Sequence, residues 1–304
     1  MNKFQYPTYE SSHEQKHRKR LNLQSWILTA PAMLWLLFFF LLPYLIVVIY
    51  SFLTPDIYDI KFELSLESYR QIFNGDYLRP FLISFRMAFI TTVMCILLGY
   101  PVAYFIARSS EKLRSTLLVM IIIPFWTNLI IRIFSWRIFL ASNGVLNDTL
   151  MSLHLIKAPL EIMRTDLAVG LVMVYVYLPY MILPLYSVIE KIDFTLLNAA
   201  MDLGASEVKA FFRVTLPLSL TGIFAGSILV FIPALGAYLI TQLVGNQRSL
   251  YIGQVITYKI KNIPRNWPMA SALSLTLLFL VTVLLAGAYF LWLRNKQRRR
   301  GESD

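Results

Sequence analysis

The sequence predicts an all-α integral membrane protein with six transmembrane helices, an expectation carried by three observations. Apolar residues make up 57% of the 304 residues and charged residues only 15%, against about 45–50% and about 25% in soluble domains. The charges cluster, leaving charge-free runs at 21–55, 87–107, 115–131, 167–189, 214–247 and 266–293, each near or above the ~17–25 residues that cross a bilayer as a helix. The net charge of +11 is distributed beside those runs, a placement that suits membrane anchoring rather than nucleic-acid binding.

The first run follows a polar, basic tail over residues 1–25 and extends 35 residues. It far exceeds the roughly 7–15-residue core of a secretory signal and reads as a retained helix. It contains Pro31 and Pro43. The second run carries Gly99, Ala103 and Ala107 at four-residue intervals, a stripe suited to close helix packing. Cys95, the single cysteine, lies in this run, which excludes an intramolecular disulfide and any CxxC site. The third run, 17 residues, is the shortest, and the fourth has 23. The fifth, 34 residues, is too long for a straight crossing of about 30 Å. Its Pro217 reads as a helix entry point, and the mid-run Pro233 predicts a bend that can open a cavity in a bundle. Gly222 and Gly226 form a GxxxG pair suited to packing within this chain or against a second membrane subunit. The sixth run ends in a basic tail, 294–304. No linker, low-complexity tract or repeat divides residues 26–293, which read as one membrane domain.

Orientation follows from Lys and Arg counts in alternate loops. The two tails, loop two (Arg108, Lys112, Arg114) and loop four (Lys191, Lys209, Arg213) carry sixteen, the other loops nine. The positive-inside rule then puts both termini in the cytoplasm, as an even span count requires. Loop five is anomalous, because Arg248, Lys259, Lys261 and Arg265 face outward with no acid beside them. Arg86, Arg132 and Arg137 stand at run edges, where they can snorkel to headgroups or pair within the bundle. Tryptophans and tyrosines near run ends, such as Trp35, Tyr44 and Trp267, suit interfacial belts.

Catalytic constellations are missing from the runs. His13 and His17 stand in an HExxH sequence, His13-Glu14-Gln15-Lys16-His17, but in the polar tail outside every run, as is His154, and no acid lies inside a run, so an intramembrane metalloprotease or carboxylate proton relay lacks its parts. There is no GxxxxGK[ST] phosphate loop. Energy for active transport would have to come from a partner.

Loop four, Glu190 to Arg213, is richer in helix signals than a connection needs. Thr195 is placed to cap a helix over 196–203, Gly204 to end it in a left-handed conformation, and Ser206 to cap a second helix begun by Glu207. Leu196, Leu197, Ala200, Leu203, Val208, Phe211, Phe212 and Val214 give this helix–glycine–helix an apolar face, suited to a membrane surface or a groove in a partner.

The run Asn198-Ala199-Ala200, with Gly204 four residues after Ala200 and then Leu216-Pro217, resembles the EAA loop of permease subunits of binding-protein-dependent ABC importers. One position departs: the family glutamate is Asn198 here, where Glu would complete a capping box with Thr195 and favour the helix dipole. Segments 98–108, 122–140, 183–193 and 216–246 extend the resemblance over essentially residues 26–293 and look most like the spermidine/putrescine-type permeases.

The resemblance implies the type I ABC importer architecture, with a second homologous permease subunit, two ATP-binding subunits and an extracytoplasmic solute-binding protein as partners, in the inner membrane. It implies no catalytic residue, metal or cofactor on this chain, with ATP and Mg on the partner ATPase. Asn198, Ala199, Ala200, Asp202, Gly204, Ala205, Ser206 and Pro217 would form the ATPase-coupling loop. A polyamine path without intramembrane acids would rely on aromatic faces, with Trp126, Tyr175, Tyr177, Tyr180 and Tyr238 as candidates. Asp56, Asp59, Glu63, Glu67 and Asp76 in the first external loop could meet the binding protein or the cation, or simply be solvated. Rival readings are a related importer for another small solute, a stand-alone channel or secondary transporter, against which the missing intramembrane carboxylates count, and a membrane enzyme, against which the missing catalytic groups count.

Overall fold

The computed structural model describes residues 12–54, 61–246 and 250–301. The elements in order are α1 (Ser12–Ser51), a small antiparallel pair β1 (Leu53–Thr54) and β2 (Lys61–Leu64), α2 (Glu67–Gln71), α3 (Leu78–Arg108), α4 (Glu111–Trp126), α5 (Leu129–Phe139), α6 (Val145–Ser152), α7 (Asp166–Ile189), α8 (Thr195–Asp202), α9 (Glu207–Ala210), α10 (Leu216–Leu235), α11 (Tyr238–Val244), α12 (Ile252–Lys261) and α13 (Trp267–Gly301). Among the described residues, five unbroken helical stretches are long and apolar enough to span a membrane, those of α1, α3, α7, α9–α10 and α13. Helices α1 and α13 run on into the polar tails expected at either end.

The remaining expected span, the third, is broken. Residues 115–131 do not form one straight helix: α4 and α5 meet at 92°. Pro124, in the last turn of α4, supplies no amide hydrogen to the helix. Thr127 is extended, its hydroxyl bonded to the Pro124 carbonyl at 2.7 Å. Asn128 then caps α5 by accepting the Ile130 amide at 2.8 Å. Cap signals inside an apolar run outweigh its hydropathy. The fifth run also divides: α10 stops at Leu235, two residues after Pro233, and α11 is a separate short helix. Proline thus ends a helix here, where the sequence predicted a bend within one.

Helices α3, α7 and α10 form the centre. On α7, Ala168, Val169, Val172, Met173 and Val176, then Met181, Ile182, Leu185 and Ile189, are buried, a three-to-four-residue rhythm that is a helix face. Lipid offers no hydrophobic drive for helix association, so close approach must come from small residues. A Cβ added at Gly222 would lie 3.1 Å from Val188 Cβ and 3.2 Å from Leu185 Cα, and one at Gly226 would lie 3.3 Å from Met181 Cα. A Cβ on Gly99 would lie 3.1 Å from Met181 Cγ. Both small-residue stripes are therefore spent within the chain, on one segment of α7. Helix α1 packs on α13, and from Met33 to Leu42 its large apolar side chains are exposed, as a lipid-facing or subunit-facing helix requires.

Candidate coupling element and translocation path

Loop four forms the helix–glycine–helix that its signals predicted, with one cap reassigned. Phe194, not Thr195, is the N-cap of α8, and Asp193 just before it supplies the side-chain bond: its carboxylate accepts the Thr195 amide at 2.9 Å, and the backbone and side-chain hydrogen bonds from Thr195 hold that carboxyl below the usual aspartate range. Thr195 is the first residue of the helix and not its cap, so the capping box that a glutamate at position 198 would complete with it has no counterpart here. Gly204 has φ +87°. The Ala205 amide bonds the Ala200 carbonyl at 3.1 Å and the Gly204 amide bonds Met201 at 2.9 Å, the paired bonds of a Schellman ending. Ser206 caps α9 through the Lys209 amide.

Pro217 does not open a new helix, as expected from sequence. The chain is helical from Glu207 to Leu235, with a π turn over Phe211–Thr215 that ends with the Leu216 amide on the Phe211 carbonyl. Pro217 has no amide hydrogen for the carbonyl four residues back, and its ring would crowd it; the wider π turn absorbs both problems. The second helix of the element is consequently continuous with the membrane span and can transmit displacement along it.

The element has two faces. Leu197, Ala210 and Thr215 are buried, whereas Leu196, Asn198, Ala199, Asp202, Leu203, Gly204, Ser206, Val208 and Phe212 are exposed. Leu203, 90% exposed, marks an apolar surface this chain leaves uncovered. The inward face is clamped to α3 by aromatic rings. Tyr100 and Tyr104 meet Phe211 edge-on at 5.5 and 5.8 Å, Tyr104 meets Phe194 at 6.3 Å, and the Arg108 guanidinium lies 5.6 Å from both the Tyr104 and Phe194 rings. The hydroxyls of Tyr100 and Ser219 are 2.8 Å apart. Sequence reasoning missed this clamp, although the four-residue spacing of Tyr100, Tyr104 and Arg108 places all three on one helix face.

Arg114 fixes the base of the element. Its guanidinium donates to Glu190 Oε1 at 2.8 Å and to the carbonyls of Ala107 and Ser109 at 3.2 and 3.3 Å, so the end of α3 and the end of α7 share one cation. Arg114→Ala is expected to loosen loop four more than Glu190→Gln, since the former also orphans two carbonyls. Tryptic cleavage after the exposed Lys191 should accelerate severalfold in Arg114→Ala and only slightly in Glu190→Gln.

The aromatic path candidates do not converge on one site. Trp126, at the α4–α5 break, is 87% exposed. Tyr175 meets Trp136 with the rings tilted by 60° and their centres 5.4 Å apart, in a cavity of about 510 Å³ also lined by Thr127, Arg132 and Ser135. Tyr180 packs on Phe125 at 5.0 Å. Tyr177 donates its hydroxyl to the Pro233 carbonyl at 3.2 Å, which is free because the Ala237 amide turns to Ala234 instead; its visible work is to satisfy the end of α10. Tyr238 carries the ammonium of Lys261 over its ring. Of the first-loop acids, Asp56 and Asp59 lie outside the described residues, and Glu63 and Glu67 are exposed.

At the end of the bundle opposite loop four, Arg86 pairs with Asp166 at 2.9 Å. Asp166 also accepts the buried Tyr251 hydroxyl at 2.9 Å, and Ser84 accepts the Ile252 amide at 2.9 Å. Bundle pairing is thus the role of Arg86, while Arg132 and Arg137 lie 5.9 Å from the rings of Phe125 and Phe134. Burial, then the Asp166 carboxylate, push the Tyr251 phenol up and keep it a neutral donor. Asp166→Ala is expected to lower the thermal midpoint of the purified protein more than Arg86→Gln, because it strands a buried hydroxyl, at a cost of about 1–3 kcal/mol.

Residues 96–299 match the family described as "Binding-protein-dependent transport system inner membrane component". The chain is 43% identical over 268 residues to the spermidine/putrescine transport system permease protein PotB of Haemophilus influenzae, covering 88% of this chain and 92% of that protein. It is 43% identical over 252 residues to PotB of Escherichia coli K12, covering 83% and 91%. A chain in the crystal structure of a bacterial alginate ABC transporter, in complex with an alginate pentasaccharide-bound periplasmic protein, superposes with a TM-score of 0.68 at 18% identity, covering 90% of this chain and 94% of that one; at that identity the likeness is one of fold. Multiple apolar spans, the family match and nearly full-length likeness to permease proteins converge: the chain is a multi-pass inner-membrane transport subunit and belongs to the family of inner-membrane components of binding-protein-dependent transport systems.

Proposed function

We propose that this chain is one of two permease subunits of an ATP-driven importer for polyamines, receiving spermidine or putrescine from an extracytoplasmic binding protein, with ATP and Mg held by partner ATPase subunits. The observation that carries the substrate class is the 43% identity to PotB proteins over nearly the whole length of both chains. Support for the coupling role comes from the element at 193–217: an exposed apolar face on Leu196, Leu203, Val208 and Phe212, joined by continuous helix to a membrane span. In this reading both termini and loop four face the cytoplasm, and the α8–Gly204–α9 corner, including Asn198 to Ser206, docks on the ATPase. Closure of the ATPases then drives the spans between inward-open and outward-open arrangements.

Weak contact with cargo along the path suits such a subunit, since a binding protein provides affinity and a tight path site would hold what it should release. In proteoliposomes containing both permease subunits and the ATPases, binding protein loaded with spermidine or putrescine is expected to stimulate ATP hydrolysis. Response to another solute and to neither polyamine would reject the substrate assignment and leave the importer role intact.

A further inference from the structure

Loop five is the basic loop whose position faces the wrong way for an anchor, and its lysines have specific seats. No acid occurs between Gly245 and Asn266. Instead Lys259 lies over the Tyr77 ring, 5.8 Å from its centre, and Lys261 over Tyr238, 5.2 Å from its centre. The Lys261 ammonium also donates to the Tyr238 hydroxyl at 3.3 Å. The same pair lines a cavity of about 380 Å³, together with Gln242, Gln254, Thr257 and Asn262. It offers a π face, amide oxygens and hydroxyl oxygens, all acceptors for an ammonium, and no carboxylate to hold one permanently. The helix bearing Lys261 and Gln254 is pinned through Tyr251 to Asp166 and through the Ile252 amide to Ser84, so the pocket is built on a fixed frame. Lys261 itself is exposed and free to swing into water.

We propose that this pocket is a subsite for a primary ammonium group of the cargo, and that Lys261 is its resident occupant, displaced when cargo enters; the proposal rests on the polyamine reading above. Chemistry supports the substitution. A lysine side chain is a flexible four-carbon stem ending in a primary ammonium, the same aminobutyl unit that putrescine consists of and spermidine contains. A pocket that accepts the one accepts the other with the same contacts. The internal ammonium keeps the aromatic face and the acceptors occupied between transport events and lowers the apparent affinity for cargo by the fraction of time the seat is taken. It accounts for cations at the mouth of a cation path: with the lysine displaced into water, the seat itself carries no charge.

The test is equilibrium binding of radiolabelled putrescine to the complete permease–ATPase complex in nanodiscs, without binding protein, beside transport by the same preparations. Lys261→Met is expected to tighten putrescine binding about two- to fivefold, the scale of a partly exposed cation–π contact. Tyr238→Leu should weaken it and cancel the gain in the double variant. Lys261→Cys, which should bind like Lys261→Met, should return to the wild-type value after aminoethylation of the thiol, which restores an ammonium; the only native cysteine, Cys95, is buried. A purely structural role for Lys261 would produce no tightening and no such rescue. Unchanged or weaker binding in Lys261→Met, or transport without measurable binding in any variant, overturns the subsite and leaves the polyamine assignment standing. A wild-type complex that transports another solute and no polyamine overturns both.

Discussion

Gly204→Asp is expected to leave the protein folded and inserted but to abolish its coupling to ATP hydrolysis. The backbone at Gly204 is left-handed, φ +87°, a conformation that costs most residues roughly 1–2 kcal/mol but that Asp adopts more readily than others. A Cβ built at this glycine meets nothing within 4 Å, so the new side chain points away from this chain. It points out of the same corner that exposes Leu203 and Val208. If an ATPase subunit covers that corner, the substitution buries an unpaired carboxylate in an apolar contact, an error of about 2–5 kcal/mol, equivalent to at least about tenfold in docking. Expression and the melting profile of the purified subunit should stay near wild type, while co-purification of the ATPase and binding-protein-stimulated hydrolysis fall. Undiminished stimulation would remove the coupling role from this element. Leu203→Ser is the milder companion, removing apolar area without adding charge, and should reduce stimulation partially.

The glycine and its flanking caps were legible in sequence because local chemistry determines them. A Gly two residues before a Ser-Glu pair has few structural uses, and Gly204 and Ser206 take the places expected of them. Asp193 was harder to choose over Thr195, since both side chains can accept a first-turn amide and the choice depends on where the preceding helix α7 releases the chain. The span count was legible from hydropathy, yet the interruption at Thr127–Asn128 was not, because a broken apolar run has the same composition as a straight one. The signals were present in Pro124 and Asn128, but their weight depends on whether neighbours can satisfy the freed backbone groups. Pro217 illustrates the same limit in reverse. A proline at the start of an apolar run reads as a helix entry, and only the π turn before it reveals that the helix had already begun.

The aromatic candidates show why residue type alone does not locate a path. Tyr177 and Tyr238 have equal claim by composition, yet one hydroxyl satisfies the carbonyl of Pro233 and the other receives Lys261. The distinction depends on which helices meet, which no local pattern encodes. The clamp of Tyr100, Tyr104 and Arg108 on Phe194 and Phe211 was hidden for the same reason. Its two sides lie far apart along the chain, on α3 and in loop four, and aromatic residues near span ends have interfacial belts as a ready explanation.

Gly222→Leu is expected to be the most damaging single change in the membrane core. At Gly222 even a Cβ would stand 3.2 Å from both Leu185 Cα and the Pro184 carbonyl, contacts with backbone that a side-chain rotation cannot relieve. Three further carbons must push α10 off α7, and α7 is the helix on which α3 also packs through Gly99, Ala103 and Ala107. Overpacking ordinarily costs about 1–3 kcal/mol, and here it falls where lipid supplies no compensating drive to hold helices together. Gly222→Ala should lower the thermal midpoint modestly, Gly222→Leu should prevent assembly of a stable transporter, and Gly287→Ala, whose Cβ would meet nothing within 4 Å, should be neutral. Thermal unfolding of the detergent-purified complex, followed by fluorescence-detected size exclusion, gives the ordering. The three values separate two accounts of the GxxxG pair. Packing against α7 predicts loss of the subunit's own stability even when it is expressed alone. A contact reserved for a second permease subunit predicts a stable lone subunit that fails only to pair, and that result would overturn the intrachain assignment.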